Sequence, residues 1–368
     1  MAGVGLETGS RYNDFWQNRK VLVTGHTGFK GSWLAYWLTE RGAAVGGMAL
    51  NPTKEQRLFA QLGLPDILAC DFRVDMTEFA GVLAAVEEFR PDVVFHLAAQ
   101  PLVRDSYRNP LHTISTNVMG TVHLLESLRN QDLPVTLINV TTDKVYKNEE
   151  WAYPYRENDA LGGLDPYSAS KSVSELLTNS YFASFLKSAG LRVATARAGN
   201  VIGGGDWSRE RLIPDLVAAW AENKAADIRN PKSYRPWQHV LESLHGYMIL
   251  AERLSAEESL SGAYNFGPAS DDIYSVEEVV SLASSSWSGQ AVWSIQGDDY
   301  FPESNSLAIE SAKAKKTLGW RPVWNAEIAI QKSVQWYENF LAGHAASDLC
   351  TQDIHNFEAS LSSIEIQP

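Results

Sequence analysis

Short apolar runs alternate with longer amphipathic segments through the first 200 residues of the chain. The apolar runs are rich in Val, Ile, Leu and Ala, which is typical of buried strands, and they fall at 20–25, 43–50, 66–71, 92–99, 134–142 and 192–200. Apolar residues recur at helical spacing in intervening segments, among them 29–41, 76–90, 110–129 and 168–188. This alternation predicts an α/β fold, a doubly wound parallel sheet with helices on both faces. Any ligand is then expected at the carboxyl ends of the strands.

The pattern loosens after about residue 200. Loops rich in Gly, Pro and Trp separate candidate helices at 210–223, 239–254, 275–287, 307–318 and 325–341. We therefore predict a Rossmann-type domain over 19–200, to which elements within about 239–268 return, and a smaller C-terminal α/β lobe over 201–342. Residues 343–368 are polar and aperiodic, which predicts a weakly ordered tail.

Composition narrows the class of protein. Apolar residues make up 45% of the chain, yet no stretch approaches the roughly 18 apolar residues of a membrane span. The N-terminus lacks the basic and apolar segments of a signal peptide. The net charge of -13 disfavours nucleic acid and anionic membranes as partners, because the field repels phosphates. Cys70 and Cys350 show no disulfide spacing, so we expect free thiols and a cytoplasmic protein.

The segment "VTGHTGFKGSW" (23–33) places Gly25, Gly28 and Gly31 between a candidate strand and a candidate helix. In this context the spacing favours a dinucleotide-binding loop. Gly25 would form the tight turn, Gly28 would let the backbone approach a pyrophosphate, and Gly31 would let helix and strand pack closely. The helix N-terminus would supply free N–H groups to the anion.

The sequence leaves open whether the dinucleotide carries a 2'-hydroxyl or a 2'-phosphate. After the second strand, where Asp or Glu usually reads the ribose 2'-hydroxyl, the chain has Asn51. Asn51 can bond a hydroxyl, but Lys54 and Arg57 leave a 2'-phosphate open. Asp71, at the end of the third strand, is a candidate acceptor for the adenine amino group, with a surface carboxylate as the alternative.

"PYSASK" supplies a candidate catalytic pair, Tyr167 and Lys171, four residues apart on one face of a predicted helix. A phenol is a poor base at neutral pH, but an adjacent ammonium and an oxidised nicotinamide both favour the phenolate. Tyr167 could then take a proton from an alcohol while hydride leaves the same carbon.

With these motifs, residues 19–342 resemble the extended short-chain dehydrogenase/reductase family, the NAD-dependent epimerases and dehydratases. "HLAAQ" (96–100) is similar to the family's fourth-strand segment, and "STNVMGT" (115–121) places Asn117 at the family's helical asparagine. The resemblance implies NAD as cofactor, a nucleotide sugar in the smaller lobe, and a homodimer or homotetramer built from helices 110–129 and 168–188. The cofactor-binding candidates are Gly25, Thr27, Gly28, Phe29, Lys30, Gly31, Asn51, Asp71, Leu97, Ala98, Ala99, Asn117, Tyr167 and Lys171.

"VTTDKVY" (140–146) bears on the reaction. A 4-epimerase needs no further acid or base, whereas a 4,6-dehydratase must also remove a C5 proton and protonate the departing C6 hydroxyl. Thr142, Asp143 and Lys144 supply such groups. Lys144 stands where thymidine-linked dehydratases have Glu, and with "HTGFKGSW" and "GNVIGGGDW" this is similar to the CDP-glucose 4,6-dehydratases, hydro-lyases of deoxysugar synthesis for surface polysaccharide (O-antigen).

That resemblance implies that Thr142 polarises the C4 oxygen with Tyr167 and that Asp143 is the general acid. Lys144 is either the C5 base or an electrostatic stabiliser of the enolate, because an ordinary lysine is protonated at neutral pH. An epimerase, or a dehydratase of another nucleotide sugar, remains the alternative. No single residue argues for cytosine.

The smaller lobe must supply cations for a diphosphate in an acidic protein. Arg211 in "RERLIPD" and Arg235 in "YRPWQHV" are candidates for bidentate contacts. Asn200 and His239 are candidate hydrogen-bonding residues, although His239 could equally be a packing residue of a helix. No spacing of His, Cys and carboxylates suggests a metal site.

Overall fold

The structure, a computed structural model, describes residues 15–131, 134–295 and 306–365. Its strands are β1 (Lys20–Thr24), β2 (Ala44–Ala49), β3 (Cys70–Arg73), β4 (Val93–His96), β5 (Thr136–Val140), β6 (Arg192–Ala198), β7 (Asn200–Ile202), β8 (Ala226–Ile228), β9 (Tyr234–Arg235), β10 (Trp237–His239), β11 (Gly262–Phe266), β12 (Tyr274–Ser275) and β13 (Trp293–Ile295). Its helices are α1 (Phe29–Glu40), α2 (Leu58–Gln61), α3 (Leu64–Ile67), α4 (Phe79–Phe89), α5 (Val103–Arg108), α6 (Pro110–Ile114), α7 (Gly120–Arg129), α8 (Pro166–Tyr181), α9 (Leu212–Ala221), α10 (Val240–Ala256), α11 (Val276–Ser286), α12 (Ala312–Leu318), α13 (Ala326–Leu341) and α14 (Ala346–Glu365).

Seven strands form the central sheet in the order β11-β6-β5-β4-β1-β2-β3, and every neighbouring pair is parallel. The chain reverses its direction of winding between β1 and β4, so the crevice for a ligand opens at the carboxyl ends of these two strands. The predicted fold class, a Rossmann-type doubly wound sheet, is confirmed.

Helices cover both faces of this sheet, as the alternation of side chains along β1 shows. Val21 and Val23 point into the larger core, whereas Leu22 points into a second core on the opposite face. On the larger-core side α10 packs on α1, and on the other side α7 packs between α4 and α8. A strand buried on both faces needs apolar residues at consecutive positions, which explains why the predicted strands were continuous apolar runs.

The C-terminal lobe contains three two-stranded sheets. β7 pairs with β10 and β8 with β13, both in parallel, and β9 pairs with β12 in antiparallel fashion. β11 instead joins the edge of the central sheet beside β6. The lobe is therefore interleaved with the main sheet along the chain.

Several predicted elements differ from the observed ones. Residues 66–67 end a helical turn, so β3 begins only at Cys70. The predicted helix 307–318 begins at Ala312, because Leu307 and Ile309 alternate into a small core beside Tyr155 as extended chain. The helices predicted over 110–129 and 168–188 contain π-helical turns at Ser115–Met119 and Phe182–Leu186.

The predicted weakly ordered tail is wrong over the residues that the structure describes. α14 buries Leu349, Cys350, Ile354 and Phe357. These positions follow helical spacing, but they are few among polar residues, so the segment is polar on average. Trp37 of α1 also donates a hydrogen bond of 2.8 Å from Nε1 to the carboxylate of Glu358.

Cys70 and Cys350 are free thiols. Within the described ranges, we find no helix whose length and hydropathy suit a membrane crossing.

Candidate active site

A cavity of about 940 Å³ lies at the carboxyl edge of the sheet, between the sheet and the C-terminal lobe. This is near the upper end of ligand-pocket volumes, as expected where a cofactor and a substrate bind together. Predicted site residues on its wall are Gly25, Thr27, Gly28, Phe29, Lys30, Gly31, Asn51, Leu97, Ala98, Ala99, Thr142, Lys144, Tyr167, Lys171, Asn200, Arg211 and Arg235. Four other predicted residues, Asp71, Asn117, Asp143 and His239, lie behind the wall or away from it.

The glycine loop joins β1 to α1 under tight steric limits. Gly25 has φ of +72°, and a Cβ there would lie 2.8 Å from the backbone of Ala98. A Cβ on Gly31 would lie 2.2 Å from the carbonyl oxygen of Gly25. The backbone therefore approaches both β4 and α1 more closely than any side chain would allow. The first-turn amides of α1 have no intrahelical acceptors and, with the positive end of the helix dipole, fit an anion on this wall.

Lys54 and Arg57, the residues that could have bound a 2'-phosphate, are not among the described residues that line the cavity. Asn51 is on the wall, but Lys54 is exposed outside it. The guanidinium of Arg57 lies 4.0 Å from the ring centroid of Trp207. The wall around Asn51 therefore offers a hydrogen-bonding amide rather than a phosphate clamp.

Asp71, the predicted acceptor for the adenine amino group, does not line the cavity. One of its carboxylate oxygens bonds Nε2 of the buried His26 at 2.9 Å, and the other accepts from Arg73 at 2.5 Å. Asp75, four residues later, is on the cavity wall, and so is Met76. Neither residue was predicted, because the predicted third strand ended at residue 71 and the observed one ends at Arg73. The signal was available, since a carboxylate that follows a parallel strand lies at the ligand edge.

Asn117 is buried behind the wall in the π-helical turn. Its Oδ1 accepts from the backbone N–H of Gln100 at 2.8 Å, and its Nδ2 donates to the carbonyl of Gln100 at 3.1 Å and to Oγ of Ser170 at 2.9 Å. The predicted direct cofactor contact is therefore corrected. Asn117 ties the loop after β4 to α8.

Tyr167 lies in the first turn of α8, where Asp165 caps the helix by accepting from the N–H of Ser168 at 2.9 Å. Burial, together with the charge of Asp143, raises the pKa of Tyr167 to about 12. A hydrogen bond with Thr142 and the charge of Arg211 oppose that shift. The phenol is thus protonated at neutral pH unless further positive charge enters the site.

Lys171 is buried one helical turn after Tyr167, and its Nζ donates to the carbonyl of Val140 at 2.8 Å. Burial lowers the pKa of Lys171 to about 8, against the opposing charge of Glu175. Glu175 forms a buried ion pair with Arg197. The helix that carries Tyr167 and Lys171 is therefore anchored to β6.

Thr142, Asp143 and Lys144 form a continuous chain of contacts after β5. Oγ1 of Thr142 donates to Oδ1 of Asp143 at 3.0 Å, and Nζ of Lys144 donates to the same oxygen at 3.1 Å. Asp143 is fully buried, and its Oδ2 has no hydrogen-bond partner among the described residues. The Thr142 hydroxyl also lies close enough to Tyr167 to lower the pKa of the phenol, so these contacts bring the phenol next to the acidic and basic groups.

A second lysine of unusual character lies on the wall. Nζ of Lys30 donates to the hydroxyl of Tyr247 at 2.7 Å. Burial, together with the charges of Arg211 and Lys171, lowers the pKa of Lys30 to about 7, and Asp143 opposes the shift. Tyr247 is 217 residues away in sequence and belongs to α10. No local pattern signals this pair.

Three of the four residues predicted to bind the substrate lie on the cavity wall. Asn200, Arg211 and Arg235 line the cavity, and Asn200 lies 3.5 Å from Nζ of Lys144. A salt bridge of 2.8 Å from Asp206 holds Arg211. His239 is fully buried, and its Nδ1 caps α10 by accepting from the N–H of Leu241 at 3.3 Å. Its predicted substrate contact is therefore wrong, and the packing alternative describes it.

Comparison with known proteins extends this description. A family model described as GDP-mannose 4,6 dehydratase matches residues 22–333. A CDP-glucose 4,6-dehydratase of Salmonella typhimurium strain LT2 is 45% identical over 336 residues, covering 90% of this chain and 93% of the relative. A dTDP-glucose 4,6-dehydratase of the same strain is 25% identical over 342 residues, covering 86% and 92%.

Solved structures share the fold. DesIV, the dTDP-glucose 4,6-dehydratase from Streptomyces venezuelae with NAD and TYD bound, superposes with a TM-score of 0.76 at 22% identity, covering 87% of this chain and 97% of that one. A Thermus thermophilus UDP-glucose 4-epimerase complex with NAD superposes with a TM-score of 0.74 at 23% identity, covering 87% and 99%. At such identities the likeness concerns the architecture.

Proposed function

Because the chain belongs to the GDP-mannose 4,6-dehydratase family, we propose that it removes water from CDP-D-glucose in an NAD-dependent reaction. The product is CDP-4-dehydro-6-deoxy-D-glucose, a precursor for deoxysugars of surface polysaccharide. The similarity to the Salmonella CDP-glucose enzyme over 90% of the chain supports the choice of substrate. The free thiols of Cys70 and Cys350 support a cytoplasmic location.

One observation carries the choice of a dehydration. The chain of contacts from Tyr167 through Thr142 to Asp143 and Lys144 joins the group that handles the C4 hydroxyl to two further proton-transfer groups. A 4-epimerase needs only the first. A dehydratase needs all of them, because elimination takes a proton from C5 and gives one to the C6 hydroxyl.

The cavity fits NAD at its glycine-lined end. Gly25, Gly28 and Gly31 leave room for a pyrophosphate against the amides of α1, and Asn51 is the hydrogen-bonding residue for the ribose hydroxyls. The nearby wall residue Asp75 is the candidate acceptor for the adenine amino group. The chemistry that NAD supplies when bound is the acceptance of a hydride from C4 and its later return to C6.

Tyr167 takes the C4 hydroxyl proton as the hydride leaves, and Thr142 polarises the C4 oxygen. Burial and the charge of Asp143 raise the pKa of Tyr167, so the phenolate requires positive charge in the occupied site. Lys171, which is still largely protonated at neutral pH, supplies part of that charge. Oxidation at C4 then acidifies the C5 proton.

Asp143 and Lys144 share one proton as a pair. In the ion-paired form Lys144 carries it, and in the neutral form Asp143 carries it. The neutral form supplies the acid and the base that elimination needs: Lys144 takes the C5 proton while Asp143 protonates the departing C6 hydroxyl, which leaves as water.

The remaining protons also balance. After hydride returns to C6, Lys144 returns its proton to C5. Tyr167 still holds the proton from the C4 hydroxyl, and the bonds through Thr142 lead from Tyr167 to Asp143. Transfer along this path regenerates both the phenolate and the protonated Asp143, with one water lost per turnover.

Arg211 and Arg235 are the proposed diphosphate ligands, since both line the cavity on the lobe side, with Asn200 between the lobe and Lys144. Asp206 fixes Arg211 in place.

The proposal includes a homodimer. α6, α8 and the π-helical turns beside them expose Ile114, Met119, Val173, Leu176 and Phe185 on their outer surface. A second copy would bury this apolar surface in a twofold bundle. Leu176→Asp is expected to halve the mass measured by light scattering, and an unchanged mass would exclude this face as the interface.

The direct test is a substrate panel. Purified protein with NAD is incubated separately with CDP-glucose, dTDP-glucose, UDP-glucose and GDP-mannose, and the products are analysed by mass spectrometry. Loss of one water from CDP-glucose alone supports the proposal. An isomer of unchanged mass would indicate an epimerase, and loss of water from another donor only would overturn the choice of CDP-glucose.

A further inference from the structure

Asp215 differs from its acidic neighbours on the lobe side of the cavity wall. Three of these neighbours bond side chains: Asp206 accepts from Arg211 at 2.8 Å, Glu210 from Arg108 at 3.0 Å and Asp227 from Ser294 at 3.1 Å. Among the described residues, no side chain forms such a bond with Asp215; the charge of Arg229 and the nearby backbone of Glu210 lower its pKa, against the effect of burial. Burial raises the pKa of Asp215 to about 6. A partly desolvated carboxylate therefore lies on a wall that is proposed to bind an anionic ligand.

Asp215 follows the proposed diphosphate ligand Arg211 by one helical turn and lines the same cavity. Arg211 precedes α9 directly and lies close enough to Tyr167 for the two charges to interact. Asp215 is in the first turn of α9, and the charged groups that act on it are Arg229, Glu210 and Asp206. A nucleotide sugar is linear, with the sugar, the diphosphate and the nucleoside in that order. With the sugar at Tyr167 and a phosphate at Arg211, the base lies toward Asp215 and the residues that follow β8.

We propose that the carboxylate of Asp215 selects the base of the nucleotide sugar by accepting a hydrogen bond from the exocyclic amino group of cytosine. This inference rests on the proposed function, and it supplies the residue that would make the site cytosine-specific.

The chemistry of the bases gives the carboxylate its discriminating power. Cytosine presents an amino donor where thymine and uracil present a carbonyl oxygen. An ionised carboxylate only accepts hydrogen bonds, so it would face that oxygen with no shared proton. Sites that bond a substrate's N–H reject analogues that lack it far more strongly than apolar pockets reject shape differences, because the buried polar group is left unpaired. The next ring atom of cytosine is an acceptor and that of uracil is a donor, so a cation placed beside that atom, such as Arg229 of the same wall, would add to the preference.

Asp215→Asn tests the proposal with little change of shape. The amide oxygen keeps an acceptor beside the backbone of Glu210, whereas the second atom becomes an N–H₂ donor, which suits uracil. Dissociation constants of CDP and UDP are measured by calorimetry on the full-length protein, with thermal melting as a folding control. The wild type is expected to prefer CDP, and Asp215→Asn to lower the ratio of CDP to UDP affinity by at least about tenfold. Asp227→Asn changes another wall carboxylate and is expected to leave the ratio unchanged.

The outcomes separate the two claims. A wild type that prefers CDP, with an Asp215→Asn variant that keeps the full preference, would overturn the role of Asp215 and leave the proposed function standing. A wild type that binds UDP as well as CDP would contradict the proposed substrate itself. If Asp215→Asn melts too low to measure, Asp215→Glu takes its place. It is expected to weaken CDP while UDP binding stays constant, and equal weakening of both would overturn the inference.

Discussion

Lys144 and Asp143 are consecutive residues whose side chains form an ion pair of 3.1 Å, with the carboxylate fully buried and the ammonium partly open to the cavity. A pair of this kind holds one proton between an acid and a base. Elimination of water needs one acid and one base at the same moment, so the pair matches the reaction as a unit. We therefore propose that the two residues act together as one acid–base pair.

Replacing Lys144 with Ala should separate the two halves of the reaction. Oxidation at C4 depends on Tyr167 and Thr142, so hydride transfer from C4-labelled substrate should persist in a single turnover. Elimination should fall by at least about 100-fold, the usual contribution of a positioned base. Lys147→Ala is the control, since Lys147 is exposed and pairs with Glu149. Equal impairment of both half-reactions would contradict the assigned role.

Thr142 should be replaceable by Ser but not by Val. Thr142→Ser keeps the hydroxyl that joins Tyr167 to Asp143, and Thr142→Val removes it at similar volume. We expect the kcat of Thr142→Val to fall by about 100-fold with little change in KM, and that of Thr142→Ser to stay within about tenfold of the wild type. The idea of a path through the hydroxyl fails if both variants lose activity equally.

Gly31→Ala should weaken NAD binding much more than CDP binding. Its Cβ would sit 2.2 Å from the carbonyl oxygen of Gly25, so the loop must move. We expect NAD affinity to drop by at least about tenfold in calorimetry, with CDP affinity little changed, because a displaced loop loses several amide contacts. Gly81→Ala in α4 is the control, where the nearest contact is a Val74 methyl at 3.1 Å. Unchanged NAD affinity in Gly31→Ala would argue against the loop as the phosphate site.

Lys30→Met should stabilise the ligand-free protein in a pH-dependent way. The folded protein has a Lys30 pKa of about 7 against the ordinary 10.5, so the unfolded chain binds an extra proton between these values. Wild-type stability should therefore rise with pH through that window, and the cost of burying Lys30 is complete below pH 7. We expect Lys30→Met to gain about 1–2 kcal/mol near pH 7, after allowance for partial solvent contact, and progressively less toward pH 10.

Denaturant titrations at several pH values measure this difference, with Lys54→Met as an exposed control. A gain that stays constant with pH would mean that the ammonium charge of Lys30 carries no folding cost.

The sequence predicted those features of the fold and the site that depend on residues close together in the chain. Each predicted motif that lines the cavity lies within one element or turn. These motifs are the glycine loop, Tyr167 with Lys171, and Thr142 with Lys144. Buried parallel strands were visible because both of their faces are apolar. These features need no knowledge of how distant parts of the chain meet.

Other features depend on the tertiary structure. Lys30 meets Tyr247 across 217 residues, and no spacing rule connects them. His239 could be a ligand or a helix cap until the packing of Trp33 and Trp324 around its ring is known. Phe357 is buried because α14 docks on Trp37, His245 and Trp324.

The central claim is that the hydride removed from C4 returns to C6 of the same sugar. CDP-glucose deuterated at C4 is the most direct probe, with the product examined by NMR and mass spectrometry and the cofactor followed by absorbance. We predict a product that has lost one water, carries the deuterium at C6, and forms with no net reduction of NAD. A product with unchanged oxygen content, or one reduced cofactor released per turnover, would contradict it.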